Sequence, residues 1–196
     1  MPLTTIDPTA ALVVVDLQKG IVSALTDTPV TTAVQQTTRL AAEFRRHGLP
    51  VVLVNVTGRA PGRTDIPARV RVGTGRSANA TAPPAGWADL IDELDVQPTD
   101  HLITKRRRSA FHDTGLDTLL RDLGVTQVVL TGVATSSGVE STARSAVDHG
   151  YHVVLATDAM GDPDPEAHRH SVERVFPKLG ETATAAEVIT MVEATR

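Results

Sequence analysis

Residues 11–18 read Ala-Leu-Val-Val-Val-Asp-Leu-Gln, an apolar run that ends on a carboxylate. The run is continuous and β-branched rather than alternating. That pattern belongs to a strand covered on both faces, as in a parallel sheet. Most of four further short runs share it: Val51–Val56, His101–Thr104, Val128–Leu130 and Val153–Ala156. Helical stripes lie between and after them. Val34, Leu40, Ala41 and Phe44 form one, stopped by Gly48-Leu49-Pro50. Leu116, Leu119, Leu120 and Leu123 follow i, i+3, i+4, i+7 and end at Gly124. Val139, Thr142, Ala143, Ala146 and Val147 form a third, ending at Gly150, and Ala167, Ser171, Val172 and Val175 a fourth. A last helix is expected over Ala185–Glu193. Strands alternating with helices imply right-handed βαβ crossovers and a three-layer α/β/α domain.

A chain of 196 residues suits a single domain, here taken as residues 1–196. The net charge of −4 argues against a dedicated nucleic-acid or anionic-membrane partner. With 41% hydrophobic and 21% charged residues the chain is globular rather than disordered. No stretch approaches the roughly 20 apolar residues of a membrane span. No basic segment followed by an apolar run marks a signal peptide, so a soluble cytoplasmic protein is expected. The absence of cysteine excludes disulfides, thiolate metal sites and a cysteine nucleophile.

Thr57–Gly86 is rich in Gly and Pro and carries no periodicity. It reads either as a surface excursion or as a flap over the active site, closed by Trp87 and a short helix Ala88–Leu94.

Ligands of open parallel sheets sit at the carboxyl ends of the strands, and three segments there could carry chemistry. Asp16 follows the first strand directly, placed either as a partly buried acid or as a simple cap. Lys105 ends the third strand and opens the run Lys105-Arg106-Arg107-Arg108. Such a run is usually a solvated face. Here, between a strand and Ser109-Ala110-Phe111, one basic side chain is expected to turn inward, and Lys105 is nearest. Thr131–Thr142 runs from a strand through small residues into a helix. That turn is either an ordinary connection or a cradle whose N–H groups face an oxyanion or carboxylate. Ser137 lacks the G-x-S-x-G setting of a serine nucleophile. The seven histidines form no metal-ligand set, and surface positions are expected for them. No phosphate-binding glycine loop is present, so no nucleotide is implied.

Together these segments resemble the isochorismatase-like hydrolases, the cysteine hydrolase superfamily. The resemblance rests on LVVVDLQ at 12–18, Lys105 with Ser109-Ala110-Phe111 and Thr114, and Leu116–Leu120. It continues through TGVATSSGVESTA at 131–143 and GYHVVLATDA at 150–159. It implies a Rossmann-like, six-stranded, mostly parallel sheet of order 3-2-1-4-5-6, and a non-proline cis peptide at Val133–Ala134. Many members use an Asp-Lys-Cys triad. Asp16 and Lys105 match its first two members, and Gly138 stands at the cysteine position. The isochorismatases proper also resemble this chain in having Gly there. They hydrolyse an enol ether without a covalent intermediate, which implies Asp16 as the acid. The resemblance further implies Lys105 or the Ala134 and Gly138 N–H groups as carboxylate holders. Gln18, Thr135, Ser137 and Trp87 are implied as substrate-binding residues. The residues around Val133-Ala134-Thr135 and Val139–Thr142 are more similar to the amidohydrolase members. The metal ligands of nicotinamidases have no match, so no metal and no other cofactor is expected. The partner implied is a small-molecule substrate, in a homo-oligomer. The alternative reading is a member without its nucleophile that binds a small carboxylate or amide without turnover.

Overall fold

The protein is described from a computed structural model, covering residues 1–25, 28–57 and 83–195. Six parallel strands form one sheet of order β3-β2-β1-β4-β5-β6. They are β1 Ala10–Val15, β2 Val51–Val56, β3 His101–Lys105, β4 Gln127–Val133, β5 His152–Gly161 and β6 Glu181–Ala183. Among the described residues the α-helices are α1 Lys19–Val22, α2 Thr28–Arg46, α3 Leu116–Asp122, α4 Glu140–Asp148, α5 Pro165–His170 and α6 Ala185–Ala194. Among the described residues no helix is long and apolar enough to cross a membrane.

In the central strands the continuous apolar runs have the expected cause, cover on both faces of the sheet, whereas the edge strand β3 alternates and leaves Leu102 64% exposed. Alternate residues of β1 serve opposite cores. Leu12 and Val14 join Leu40, Ala41 and Phe44 of α2 and Val188 and Val192 of α6. Val13 and Val15 join Leu116 and Leu120 of α3 and Ala143 and Ala146 of α4. Every residue of β1 and β4 is buried. At roughly 25 cal/mol per Å² of apolar surface removed from water, this double burial is the main force holding the layers together.

Two local features aim the strand ends. Arg45 of α2 holds Asp100 through two bonds of 3.0 and 2.7 Å, and Asp100 also accepts from the Gln97 N–H. That buried, forked pair fixes the turn that launches β3 and therefore the strand end at Lys105. Gly132 has φ of 113°, and a Cβ there would lie 2.0 Å from the Val15 carbonyl oxygen. Only glycine lets β4 pass so close to the end of β1.

The helix expected over Ala88–Leu94 is replaced by other structure. Residues 85–88 turn, Leu90 makes an antiparallel bridge to Gln18, and only Asp92–Leu94 form a single 3₁₀ turn. Backbone bonds from Lys19 and Gly20 to the carbonyls of Asp89 and Trp87 take up the groups a helix would have used. Most of the Thr57–Gly86 stretch, with its flap reading, lies outside the described residues. The Val133–Ala134 peptide is cis.

Gly132→Ala is expected to destabilise the fold by about 3 kcal/mol or more, because backbone atoms must move apart. Gly124→Ala, at a φ of 67° but facing open space, is expected to cost only about 1 kcal/mol. Urea denaturation of the two variants measures the difference.

Candidate active site

Asp16 directly follows β1 in a left-handed backbone conformation with φ of 55°, a region that Asp tolerates better than most side chains. Its N–H donates to Val54 O at 2.9 Å. Lys105 ends β3, two strands away in the sheet. Its side chain spans the end of β2 and brings Nζ to 2.6 Å from Asp16 Oδ2. The same Nζ donates to Arg107 O at 3.2 Å. Both residues are almost fully buried, Asp16 at 5% and Lys105 at 2% exposure. Of the basic run, Lys105 is the residue turned inward, while Arg106 and Arg108 are exposed.

Burial pushes the Asp16 carboxyl up to about 6, against the opposing pull of the Lys105 ammonium. Asp16 Oδ1 is buried without a hydrogen-bond partner. When the carboxyl is protonated, Oδ2 remains the acceptor for Lys105 and the proton belongs on Oδ1. The pair therefore presents an acid with an uncommitted O–H.

Gly138 faces this acid from the turn after β4. A Cβ at Gly138 would sit 3.1 Å from Asp16 Oδ2 and 3.1 Å from Val15 Cγ1. The missing side chain thus lets the turn approach the carboxyl more closely than a Cβ would allow. Thr135–Val139 form a single π-type turn leading into α4. Asp162 braces it by accepting from both the N–H and the hydroxyl of Ser136 at 2.7 Å. Ala134 and Ser137 are partly buried on the same turn, and Ser137 N–H donates to Ala134 O at 3.1 Å.

Gln18 is fully buried and its amide is committed to backbone. Nε2 donates to Val56 O at 3.2 Å and to Trp87 O at 3.1 Å, and Oε1 accepts from Val56 N–H at 2.8 Å. The structure thus gives Gln18 the work of a clip that ties the ends of β1 and β2 to the Trp87 turn. Trp87 lays its indole against Gly20, where an added Cβ would meet the ring at 1.9 Å.

Thr135 connects the site to a residue that the sequence reading left on the surface. Its hydroxyl donates to Gly161 O at 3.0 Å, and His168 Nδ1 lies 2.8 Å from the same oxygen. The hydroxyl has one proton, and the carbonyl takes it. His168 must therefore donate from Nδ1, which fixes its neutral tautomer and leaves Nε2 as an acceptor. Burial holds the His168 pKa below its ordinary value, with Asp162 pulling the other way. A signal for this existed: His168, Ser171, Val172 and Val175 fall at i, i+3, i+4, i+7.

A cleft of about 360 Å³ lies at the opposite end of the strands, lined in part by Asp7, Gln127, His152 and Glu181. Its carboxylates are already held, Asp7 by Thr126 and Glu181 by Thr4. Among the described residues no three His, Asp or Glu side chains gather as metal ligands.

Comparison with known proteins places this geometry in context. A family model described as the isochorismatase domain matches residues 10–187. An uncharacterised isochorismatase family protein of Bacillus subtilis, YwoC, is 38% identical over 188 residues, covering 93% of this chain and 94% of its own length. An isochorismatase family protein from Burkholderia thailandensis has a solved structure that superposes with a TM-score of 0.83 at 38% identity, covering 96% of this chain and 98% of that one. A structure titled as a cysteine hydrolase from Pseudomonas syringae pv. phaseolicola superposes at 0.85 and 27% identity, covering 100% and 98%.

The folded protein is expected to hold one carboxyl proton up to about pH 6 that an unfolded aspartate loses near 4. Because the folded pKa is the higher one, the stabilisation from that proton is complete below pH 4 and is lost as pH rises through 6. Carbon-detected NMR of the aspartate carboxyls should show one titration near 6 that Asp16→Asn removes. Lys105→Met should move it higher still, since it deletes the charge that favours the carboxylate.

Proposed function

The chain belongs to the isochorismatase family of hydrolases, and from that premise we propose that it is a cofactor-free enol-ether hydrolase whose acid is Asp16. The observation that carries this reading is the buried Asp16 carboxyl with Oδ1 unpartnered, beside a residue 138 that has no side chain. A thiol mechanism is closed to a chain without cysteine. Glycine at 138 lets the turn close on the Asp16 carboxyl where a side chain's Cβ would crowd it.

In this mechanism Asp16 transfers its proton to the terminal carbon of an isochorismate-type enolpyruvyl ether. The double-bond electrons form the new C–H bond, and the ether carbon becomes an oxocarbenium ion. Water adds to that carbon and returns a proton to the Asp16 carboxylate. The resulting hemiketal breaks its C–O bond to release pyruvate and an alcohol. A carboxyl with a pKa near 6 is protonated often enough to act and is still acidic enough to give the proton up. Lys105 keeps Oδ2 occupied, steadies the carboxylate formed after transfer and stands ready to attract a substrate carboxylate. Gly138 and Ala134 supply backbone N–H groups along the turn for a substrate oxygen, with Thr135 and Ser137 shaping the same wall.

The second reading is a family member that binds a small carboxylate or amide without turnover. The absent nucleophile favours it, because many relatives of this architecture depend on one.

Purified protein with isochorismate is expected to release pyruvate. Asp16→Asn should lower kcat by about 10²–10⁴-fold, the usual contribution of a positioned general acid. The wild-type rate should fall as pH rises above about 6, where the acid loses its proton. Gly138→Ala should keep the fold but lose most activity by crowding Asp16 Oδ2. A substrate that raises the melting temperature and is recovered unchanged would instead establish the binding reading.

A further inference from the structure

The turn that carries Gly138 toward Asp16 is gripped from behind by one short stretch, residues 161–168. Thr135 opens that turn and is fully buried. Its hydroxyl donates to Gly161 O at 3.0 Å and accepts from His168 Nδ1 at 2.8 Å. The next residue, Ser136, gives both its N–H and its hydroxyl to Asp162 Oδ2. Oδ1 of Asp162 accepts from the Asp164 N–H, and Asp164 caps α5 by accepting from the N–H groups of Glu166 and Ala167. The helix that presents His168 is therefore fixed to the same carboxylate that braces the turn.

His168 has no part in the proton transfer described above, yet its ring N–H is committed at this point. Thr135 Oγ1 is held on both sides: the carbonyl takes its proton and the ring donor fills a lone pair. Without that donor the hydroxyl is free to rotate away from Gly161 O, and the tie between the start of the turn and the end of β5 weakens. A second proton on the ring adds at Nε2 and leaves Nδ1–H in place, so the grip persists in either charge state.

The turn works at close range. A Cβ at Gly138 would stand 3.1 Å from Asp16 Oδ2, so the main chain closes directly on the acid. On the other side Thr142 donates to Gly138 O at 2.7 Å and accepts from the Ala110 N–H at 3.0 Å. The turn is thus pinned in front to the loop after β3 and behind to α5. Loss of the rear pin lets it back away from the carboxyl and admits water to a group whose proton affinity is set largely by burial.

We propose that His168 is a positioning residue that acts through Thr135 to hold the Gly138 turn against the Asp16 carboxyl. This rests on the reading of Asp16 as the centre of the site. The proton transfer stays with Asp16.

Two neutral substitutions separate this role from simple packing. Asparagine carries its amide N–H as many bonds from the backbone as histidine carries Nδ1, and glutamine as many as histidine carries Nε2. His168→Asn is expected to keep the grip and His168→Gln to lose it. Carbon-detected NMR of the Asp16 carboxyl reads the turn and needs no substrate. Wild type and His168→Asn should titrate near 6, and His168→Gln should fall toward the ordinary carboxylate value. Thr135→Val should fall as His168→Gln does, and the two together should fall no further. Arg169→Gln, exposed on the same helix, should leave the titration unchanged. Pyruvate release should drop about tenfold in His168→Gln, within the loss that a displacement of about 1 Å brings, and return in His168→Asn. Nitrogen NMR of the unaltered protein should place the neutral His168 proton on Nδ1, a measurement that does not depend on any variant folding. A dominant Nε2–H tautomer would overturn the proposal. So would an Asp16 titration in His168→Gln equal to that of wild type, a fall in His168→Asn as large as in His168→Gln, or rescue by glutamine alone. An Asp16 titration that follows residue 168 without pyruvate release from any form would refute the enol-ether reading and leave this one standing.

Discussion

A buried carboxyl in a low-dielectric interior must either keep its proton or find a cation, and at Asp16 both answers operate at once. Desolvation raises the pKa, and the Lys105 ammonium at 2.6 Å lowers it. The balance between them is set by architecture. β3 is separated from β1 by β2, so the cation must cross a neighbouring strand end to reach the acid. A four-carbon lysine stem crosses that gap with its methylenes buried and its charge delivered at the tip. The Arg45–Asp100 pair at the start of β3 and the glycine at 132 beside Val15 are what hold the two strand ends in this relation.

Much of this was legible in the sequence because double burial leaves an unmistakable trace. Five of the six strands announce themselves as short apolar runs, most of them continuous, and three helical stripes end next to a glycine, at Gly48, Gly124 and Gly150. β6 is the exception. Glu181-Thr182-Ala183 is three residues long, lies at the sheet edge and contributes only Ala183 to the core, so no run marks it. The sheet order and the cis peptide came from resemblance to a family rather than from periodicity. The expected helix at Ala88–Leu94 failed because its backbone is claimed by α1 and Gln18, a tertiary demand that local pattern does not carry.

The site was legible in its charges and not in its supports. Asp16, Lys105 and Gly138 meet because they close two strands and one strand-to-helix turn. The role of Gln18 as a clip depends on three backbone atoms from distant segments, which no spacing rule announces. His168 shows the same limit. Its helical stripe was visible, yet its partner Thr135 lies 33 residues away and is brought close only by the packing of α5 against the turn after β4. Such supports matter because a reacting group misplaced by about 1 Å costs rate as surely as its deletion.

The left-handed backbone at Asp16 also constrains what this position can become. Few residues occupy that conformation cheaply, and asparagine and glycine are the main companions of aspartate there. Glutamate, the other natural carboxylic acid, is both strained at such a φ and a methylene too long for the gap beneath Gly138. The acid is therefore irreplaceable by another acid, while its nearest tolerated neighbour, asparagine, is one nucleotide change away. On the function proposed above, an Asp16→Asn change would remove the proton donor while keeping a residue suited to the left-handed backbone there.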